Sequence, residues 1–336
     1  MKKKLIENFK KQFNRTDGQV YYSPGRVNLI GEHIDYNGGF VFPCALSYGT
    51  YGIAAKRDDR KVRVFSNPFS KEPYLFDLDH LEKDANNAWA DYVKGSIKAI
   101  FDKGYQIDFG IDLYIEGTLP VNAGLSSSSS LELLIIYIFD HLNNLRLTRP
   151  EMAILGKYAE NNFIGVHSGI MDQFIIATAQ KDHAILLNTE TLEYQQIPIY
   201  LKDYSLLIVN TNKKRGLSDS KYNERYQECK DSLLILKQKF GIKSLCSLTD
   251  EQLELSKDLL SETVYRRTRH VQSEQLRTIL SSKALKAGNI IEFATLMTKS
   301  HMSLKNDYEV TGIELDTLVQ ALLDSGAIGA RMTGAG

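Results

Sequence analysis

Apolar positions recur at helical spacing near the start of the chain. Leu5, Ile6, Phe9 and Phe13 fall on one side of the basic stretch MKKKLIENFKKQF and predict an amphipathic helix. Short β-branched and aromatic runs at 20–22, 50–55, 62–65, 74–78 and 111–115 read as strands. Helical patterns interrupt them at 88–102, 126–145 and 151–163, and strands resume at 183–187 and 204–210. From 218 onward the pattern is mostly helical, through 225–240, 261–285, 290–305 and 313–323, with long polar faces. The basic stretch 265–270 reads as helix surface. Strands and helices mixed without regular alternation predict α+β layers, not a doubly wound sheet. No repeat of roughly 20–50 residues is visible, and a boundary is expected near 180–200.

Composition narrows the class. The 336 residues exceed what one small core needs, which points to two lobes. Lys plus Arg and Asp plus Glu each number 41, so no global field draws the chain to nucleic acid or to an anionic membrane. An anionic ligand must therefore be held by local groups. Cys44, Cys229 and Cys246 are scattered without metal-ligand spacing, which fits a reducing, cytoplasmic compartment. The longest strongly apolar stretch, 131–139, is far too short to span a bilayer.

The clearest chemistry lies in the serine run. A predicted strand ends at Glu116, Pro120 and Gly124 permit a sharp loop, Ser126 to Ser130 follow, and an apolar helix leaves from Leu131. Strand, Gly/Ser loop and helix N-terminus form an arrangement that binds phosphate, because free N–H groups and the positive dipole end face the anion. A serine hydroxyl there can also ligate the Mg²⁺ that accompanies ATP. The bland reading is a linker or an ordinary N-cap; the buried helix behind it argues against slack. The Walker pattern and the protein-kinase motifs are absent.

A second cluster packs Arg26, Asn28, Glu32, His33 and Asp35 into ten positions, interleaved with the apolar Val27, Leu29 and Ile30. Polar groups set among core residues need partners, structural or ligand. Glu, His and Asp suit vicinal sugar hydroxyls. As metal ligands they are a weaker set, being nearly adjacent, and a solvated turn is the plain alternative. Further along, Asp172 follows Gly169 among Ile170, Met171 and Phe174, and Glu160 ends the predicted helix 152–160. Phosphoryl transfer to a hydroxyl uses one carboxylate to accept the proton and another to hold Mg²⁺, but spacing alone does not assign either.

Together these segments resemble the galactokinase family of the GHMP superfamily of small-molecule kinases. GRVNLIGEHIDYNGG at 25–39 is similar to the family signature almost residue for residue, and VNAGLSSSSSLE at 121–132 to the superfamily's phosphate loop. GIMDQF at 169–174 and ARMTGAG at 330–336 match two further blocks in order. The resemblance covers essentially the whole chain; the first block is highly specific, while the serine loop alone supports only the superfamily.

The resemblance implies an α+β, two-lobed GHMP kinase fold. Its N-terminal lobe, 1–185, would carry a ribosomal-protein-like left-handed βαβ unit, and its C-terminal lobe, 186–336, would be ferredoxin-like. It implies transfer of the γ-phosphate of ATP to the C1 hydroxyl of galactose, the first committed step of galactose catabolism. Carried over by position, Glu32, His33, Ile34 and Asp35 would bind the sugar, with Gly169 and Tyr222. Asp172 would be the base and Arg26 would stabilise the transferring phosphoryl group. Asn122, Ala123, Gly124, Leu125, Ser126, Ser127 and Ser128 would wrap the ATP phosphates, with Ser128 and Glu160 on Mg²⁺. Ser66 and Trp89 match positions near the adenine, and a monomer is expected.

Asn122 stands where the family usually has Gly, and Ser129 where it usually has Ala; neither changes loop length. The family also continues beyond the point where this chain stops, so a truncated C-terminal lobe with an exposed sheet edge is expected. Three other readings stand beside that of a galactose kinase: a non-catalytic galactose and ATP sensor of transcription, an N-acetylgalactosamine kinase, and a truncated product that folds poorly and has no activity. Among the remaining basic residues, Arg215 in the run 213–215 is the one worth testing against phosphate.

Overall fold

The computed structural model describes residues 2–120, 124–166, 168–213 and 221–336. They fall into two units. The first comprises Met1–Arg26, Leu46–Val121 and Leu125–Thr178, and the second Val27–Ala45, Asn122–Gly124 and Ala179–Gly336.

In the first unit, helix α1 (Lys2–Phe13) buries Leu5, Phe9 and Phe13, spaced four apart, against Ile53, Ala55 and Tyr114 of the sheet. Ile6, expected on the same side, is instead 38% exposed, because the buried stripe is narrower than the sequence pattern suggested. The strands are β1 (Gln19–Asn28), β3 (Pro43–Lys56), β4 (Lys61–Asn67), β5 (Tyr74–Asp77) and β6 (Ile111–Gly117). β1 and β3 each contribute residues to both units, and the short β2 lies in the second. β6 runs antiparallel to β3, from Thr50↔Gly117 to Lys56↔Ile111, and parallel to β4, from Arg63↔Asp112 to Asn67↔Glu116. The parallel pair needs a long crossover, which β5 and helix α2 (Ala88–Asp102) supply.

Helix α3 (Ser127–Asn143) buries Leu133, Leu134, Ile135, Ile136, Ile138 and Phe139. A helix enclosed nearly all round cannot shift without exposing apolar surface, at about 25 cal/mol per Å². Its N-terminus is therefore fixed. Helix α4 (Arg149–Tyr158) starts with a Thr148/Glu151 capping box and runs on into a wider π-helical turn, Ala159–Ile164. Glu160 thus lies in that turn and does not end the helix as expected; such turns are common at functional sites. Helix α5 (Met171–Thr178) follows.

In the second unit, β7 (His183–Asn188) pairs antiparallel with β2 (Phe40–Val41), with β8 (Tyr194–Pro198) and, at Cys44↔Ala184, with the start of β3. Helices α6 (Tyr222–Phe240), α7 (Asp250–Leu255), α8 (Glu262–Lys286), α9 (Ile290–Ser303) and α10 (Gly312–Asp324) complete the unit. The stretch 265–270, expected at the surface, buries Tyr265, Arg267, Thr268 and His270. Its buried cation, Arg267, meets Glu228 and Glu309 at 3.1 and 2.6 Å. The expected strand at 204–210 is not formed. Its backbone joins no ladder among the described residues, and Leu206, Leu207, Ile208 and Val209 are exposed. No described helix is long and apolar enough to cross a membrane.

Candidate active site

Arg26 is the last residue of β1 that belongs to the first unit, and its backbone N–H donates to the Leu125 carbonyl at 3.2 Å. Gly25 permits this approach: a Cβ there would stand 2.9 Å from the Leu125 oxygen and 2.5 Å from the Leu119 side chain. The Arg26 side chain, almost fully buried, donates Nε–H to Asp172 Oδ1 and Nη2–H to Oδ2, each at 2.7 Å. This fork-to-fork geometry fixes the carboxylate in angle as well as in distance. Asp172 occupies the first turn of α5, where the helix dipole favours a negative charge. Ser126 donates its hydroxyl to Asp172 Oδ2. Ser126 sits at φ +57° immediately before α3, a left-handed step that swings the chain from the serine loop into the helix.

Ser128, the second residue of α3, points its hydroxyl to Glu160 Oε1 at 3.5 Å. Glu160 Oε2 also accepts from Ser168 Oγ at 2.5 Å and from Gln173 Nε2 at 2.9 Å. Gln173 donates as well to Glu132 Oε2 at 3.1 Å, so one amide bridges two buried carboxyls. Burial, and then the charge of the other acids, raises the pKa of both Glu160 and Glu132; Glu132 lies well above its ordinary value. Tyr92 is pushed up to about 12 by burial and by the same two acids. Among the described residues no Lys or Arg forms an ion pair with Glu160 or Glu132. Buried negative charge without a cation is what a divalent ion relieves, and Mg²⁺ is commonly held by one or two carboxylates plus phosphate oxygens. The donor set therefore fits Mg²⁺. No cluster of three or more His, Cys, Asp or Glu side chains suited to a metal occurs among the described residues, so Glu32, His33 and Asp35 do not form one.

In the second unit, Glu32 is buried with both oxygens engaged. Oε1 accepts the Gly334 N–H at 3.1 Å; Oε2 accepts Asn28 Nδ2 at 3.1 Å and an N–H of Arg331. His33 has φ +61°, a left-handed conformation uncommon for a non-glycine residue. Its Nε2 faces the Ala335 carbonyl at 3.3 Å, and a carbonyl only accepts, so Nε2 carries the proton of the neutral ring. Nδ1 then accepts from the Tyr36 hydroxyl at 2.9 Å. Tyr36 in turn accepts from Tyr308 at 2.9 Å, and Tyr308 from the Cys229 thiol at 3.1 Å. The direction of the whole chain of hydrogen bonds follows from its carbonyl end. Burial lowers the His33 pKa to about 3, which keeps the ring neutral.

The other expected site residues are distributed as follows. Ile34 is fully buried, and Asp35 opens a short 3₁₀ turn, Asp35–Asn37, accepting the Tyr36 N–H at 3.1 Å. Tyr222 begins α6 and its ring lies 5.5 Å from that of His33. Gly169 is buried just before α5 in the first unit. Ser66 is buried on β4, paired with Ile115, while Trp89 on α2 meets the Tyr74 ring edge-on at 6.4 Å. Gly124 has φ +69°, Leu125 is buried, and Ser127 begins α3. Asn122, Ala123 and Arg215 lie outside the described residues. Glu32, His33, Ile34, Asp35, Gly124 and Tyr222 belong to the second unit; the remaining described site residues belong to the first.

Sequence reasoning passed over Arg331, Gln173, Glu132, His270 and Glu274. Arg331 and Gln173 stand inside quoted motifs beside apolar neighbours, which is the signal that a polar side chain there needs a partner. Glu132 offered a similar one, an acid set in an apolar helix.

Residues 7–56 match the model of the galactokinase galactose-binding signature, 91–180 that of the GHMP kinase N-terminal domain, and 281–336 that of the GHMP kinase C-terminal domain. The chain is 50% identical over 339 residues to a galactokinase of Clostridium perfringens (strain 13 / Type A), spanning 100% of this chain and 87% of the relative. It is 47% identical over 336 residues to a galactokinase of Lactococcus lactis subsp. lactis (strain IL1403), spanning 99% and 84%. The crystal structure of Lactococcus lactis galactokinase complexed with galactose matches with a TM-score of 0.97 at 46% identity, over 99% of this chain and 87% of that one. Methanococcus jannaschii mevalonate kinase shares the fold, with a TM-score of 0.64 at 20% identity over 96% and 89%. The chain belongs to the galactokinase family of the GHMP kinases.

Proposed function

We propose that the chain transfers the γ-phosphate of ATP to the C1 hydroxyl of D-galactose, giving galactose 1-phosphate and ADP. The observation that carries the reading is Asp172, held by Arg26 at both oxygens and by Ser126 at the start of the helix that follows the phosphate loop. The C1 oxygen forms the new bond to the γ-phosphorus, the bond from that phosphorus to the β–γ bridging oxygen breaks, and the C1 hydroxyl proton passes to Asp172. Arg26 supplies planar, permanently charged donors that stabilise the phosphoryl group in transfer. The free N–H groups at the start of α3 and the loop of Gly124 to Ser128, with Asn122 and Ala123, bind the triphosphate. Ser66 and Trp89 serve the adenine.

Ser128 and Glu160 would hold Mg²⁺, which when bound neutralises charge on the phosphate oxygens. Glu32, His33, Ile34, Asp35, Gly169 and Tyr222 bind the sugar. Both ring nitrogens of His33 are engaged here, Nε2–H by the Ala335 carbonyl and Nδ1 by the Tyr36 hydroxyl, so a sugar hydroxyl would take the place of Ala335 at Nε2. Three free, buried thiols support a reducing, cytoplasmic location, and the chain is proposed to act as a monomer.

A coupled assay of ADP release with galactose, glucose and N-acetylgalactosamine tests the reading. Turnover with galactose well above that with the other two sugars supports it. Release that is independent of sugar, or fastest with N-acetylgalactosamine, rejects the proposed acceptor.

A further inference from the structure

Helix α8 holds three consecutive peptide units of the sugar-binding segment, through the Gly31 and Glu32 N–H groups and the Glu32 carbonyl. Positions 270, 274 and 278 lie four apart, on one stripe of the helix. Glu274, fully buried, accepts at Oε1 the N–H groups of Gly31 at 3.0 Å and Glu32 at 3.3 Å, together with the Ser300 hydroxyl at 2.6 Å. His270 donates Nε2–H to the Glu32 carbonyl at 3.1 Å. Its acceptor is a carbonyl, so the neutral ring must carry the proton on Nε2, and Nδ1 accepts from Ser303 at 2.9 Å. Gly31 presses directly on this stripe. At φ +96° a Cβ would stand 2.8 Å from the Phe40 oxygen and 3.1 Å from Thr278 Oγ1. Without Glu274 the two amides would be buried and unpaired, which destabilises the segment.

We propose that His270 and Glu274 are positioning residues that set the Gly31–Glu32 backbone and, through it, the sugar-binding Glu32 side chain and the left-handed His33. The inference rests on the galactose reading of Glu32 and His33 given above. Glu274 carries two separable loads. Oε1 serves the loop, while Oε2 accepts from Arg277 Nε at 2.7 Å and so ties the acid to its own helix. Burial, the largest single effect, pushes the Glu274 carboxyl up; Arg277, His270, Arg331 and the Ser300 hydroxyl together outweigh it and hold the pKa at about 2.

The separation gives the test. Glu274→Gln weakens the Arg277 pair but retains an acceptor for the two amides, and His270→Gln retains an N–H donor; Glu274→Leu and His270→Leu retain neither. Hydrogen exchange at the Gly31 and Glu32 amides and steady-state kinetics are measured on all four variants and on the parent chain. The leucine variants should speed exchange at those two amides about tenfold and raise the galactose KM about tenfold, with the ATP KM within about twofold. The glutamine variants should melt earlier yet keep the galactose KM within about threefold of the parent. Unchanged exchange at Gly31 and Glu32 in the leucine variants overturns the proposal. So does a galactose KM in the glutamine variants about tenfold above that of the parent, an outcome readable even where the leucine variants do not fold. The exchange arm needs no substrate: a parent chain inactive on galactose would reject the galactose reading while leaving the backbone clamp to be decided by exchange.

Discussion

Arg26 meets Asp172 through two parallel hydrogen bonds of 2.7 Å, from Nε to Oδ1 and from Nη2 to Oδ2. A lysine in its place keeps the charge but offers a single point of contact. Arg26→Lys is therefore expected to lower kcat by about 10- to 100-fold while the galactose KM changes little. Steady-state rates at saturating ATP and galactose check it; a kcat near that of the parent would show that the two-point geometry is dispensable.

Glu160 and Glu132 share Gln173 but should respond differently to amide replacement. Burial and the charge of Glu160 favour the neutral form of Glu132, which a glutamine copies. Glu132→Gln should keep activity within about threefold, whereas Glu160→Gln should raise the Mg²⁺ needed for half-maximal rate about tenfold or more. Mg²⁺ titrations of the two variants separate them. Equal effects would remove Glu160 from the proposed metal site.

Ser129 is buried, and its Oγ finds no hydrogen-bond partner among the described residues. Removing an unsatisfied buried hydroxyl removes a desolvation cost. Ser129→Ala should stabilise the chain by about 1 kcal/mol in urea unfolding, without loss of activity. A destabilised variant would mean that the hydroxyl has a partner after all.

His33 and His270 are both kept neutral by burial, their pKa values lowered from 6.5 to about 3 and about 4. His270 is faced by Glu274, Arg277 and Asp307, and His33 by Arg225, Arg331 and His270 itself. The unfolded chain takes up protons at these positions below its own pKa, while the folded chain does not. This contribution to stability is complete above pH 6.5 and is lost as pH falls toward 4. The loss approaches about 1.4 kcal/mol per pH unit for each histidine. Urea unfolding of the parent chain and of His270→Gln from pH 7 to 5 measures it; the variant should show the shallower slope, and identical slopes would contradict the neutral, buried His270.

Much of the secondary structure was legible because burial wrote it as periodicity. The expectation for 88–102 coincides with α2, and the serine loop was read correctly as leading into a buried helix. The strand expected at 204–210 failed for the opposite reason. An apolar β-branched run records a preference, but a strand exists only with a hydrogen-bonded neighbour, and none of the described strands lies along it. At the candidate site the motif residues were visible, but their partners were not. Glu32 could be read from its own block, yet Arg331 reaches it across 299 positions and Glu274 holds its N–H across 242. Single-sequence periodicity carries no information on such distant pairs. The surface reading of 265–270 erred likewise, since charge spacing on a helix does not reveal that Glu228 and Glu309 neutralise Arg267 from other elements.

The central claim is that Asp172 takes the C1 proton during phosphoryl transfer from ATP to galactose. Asp172→Asn keeps the size and one acceptor oxygen toward Arg26 but removes the base. Phosphorus NMR of ATP–galactose mixtures, with galactose binding followed by calorimetry, tests it most directly. The parent chain should accumulate galactose 1-phosphate, and the variant should bind galactose within a few fold yet form product at least about 10²-fold more slowly. Product formation by Asp172→Asn at the parent rate, or no galactose 1-phosphate from the parent chain, would contradict the account.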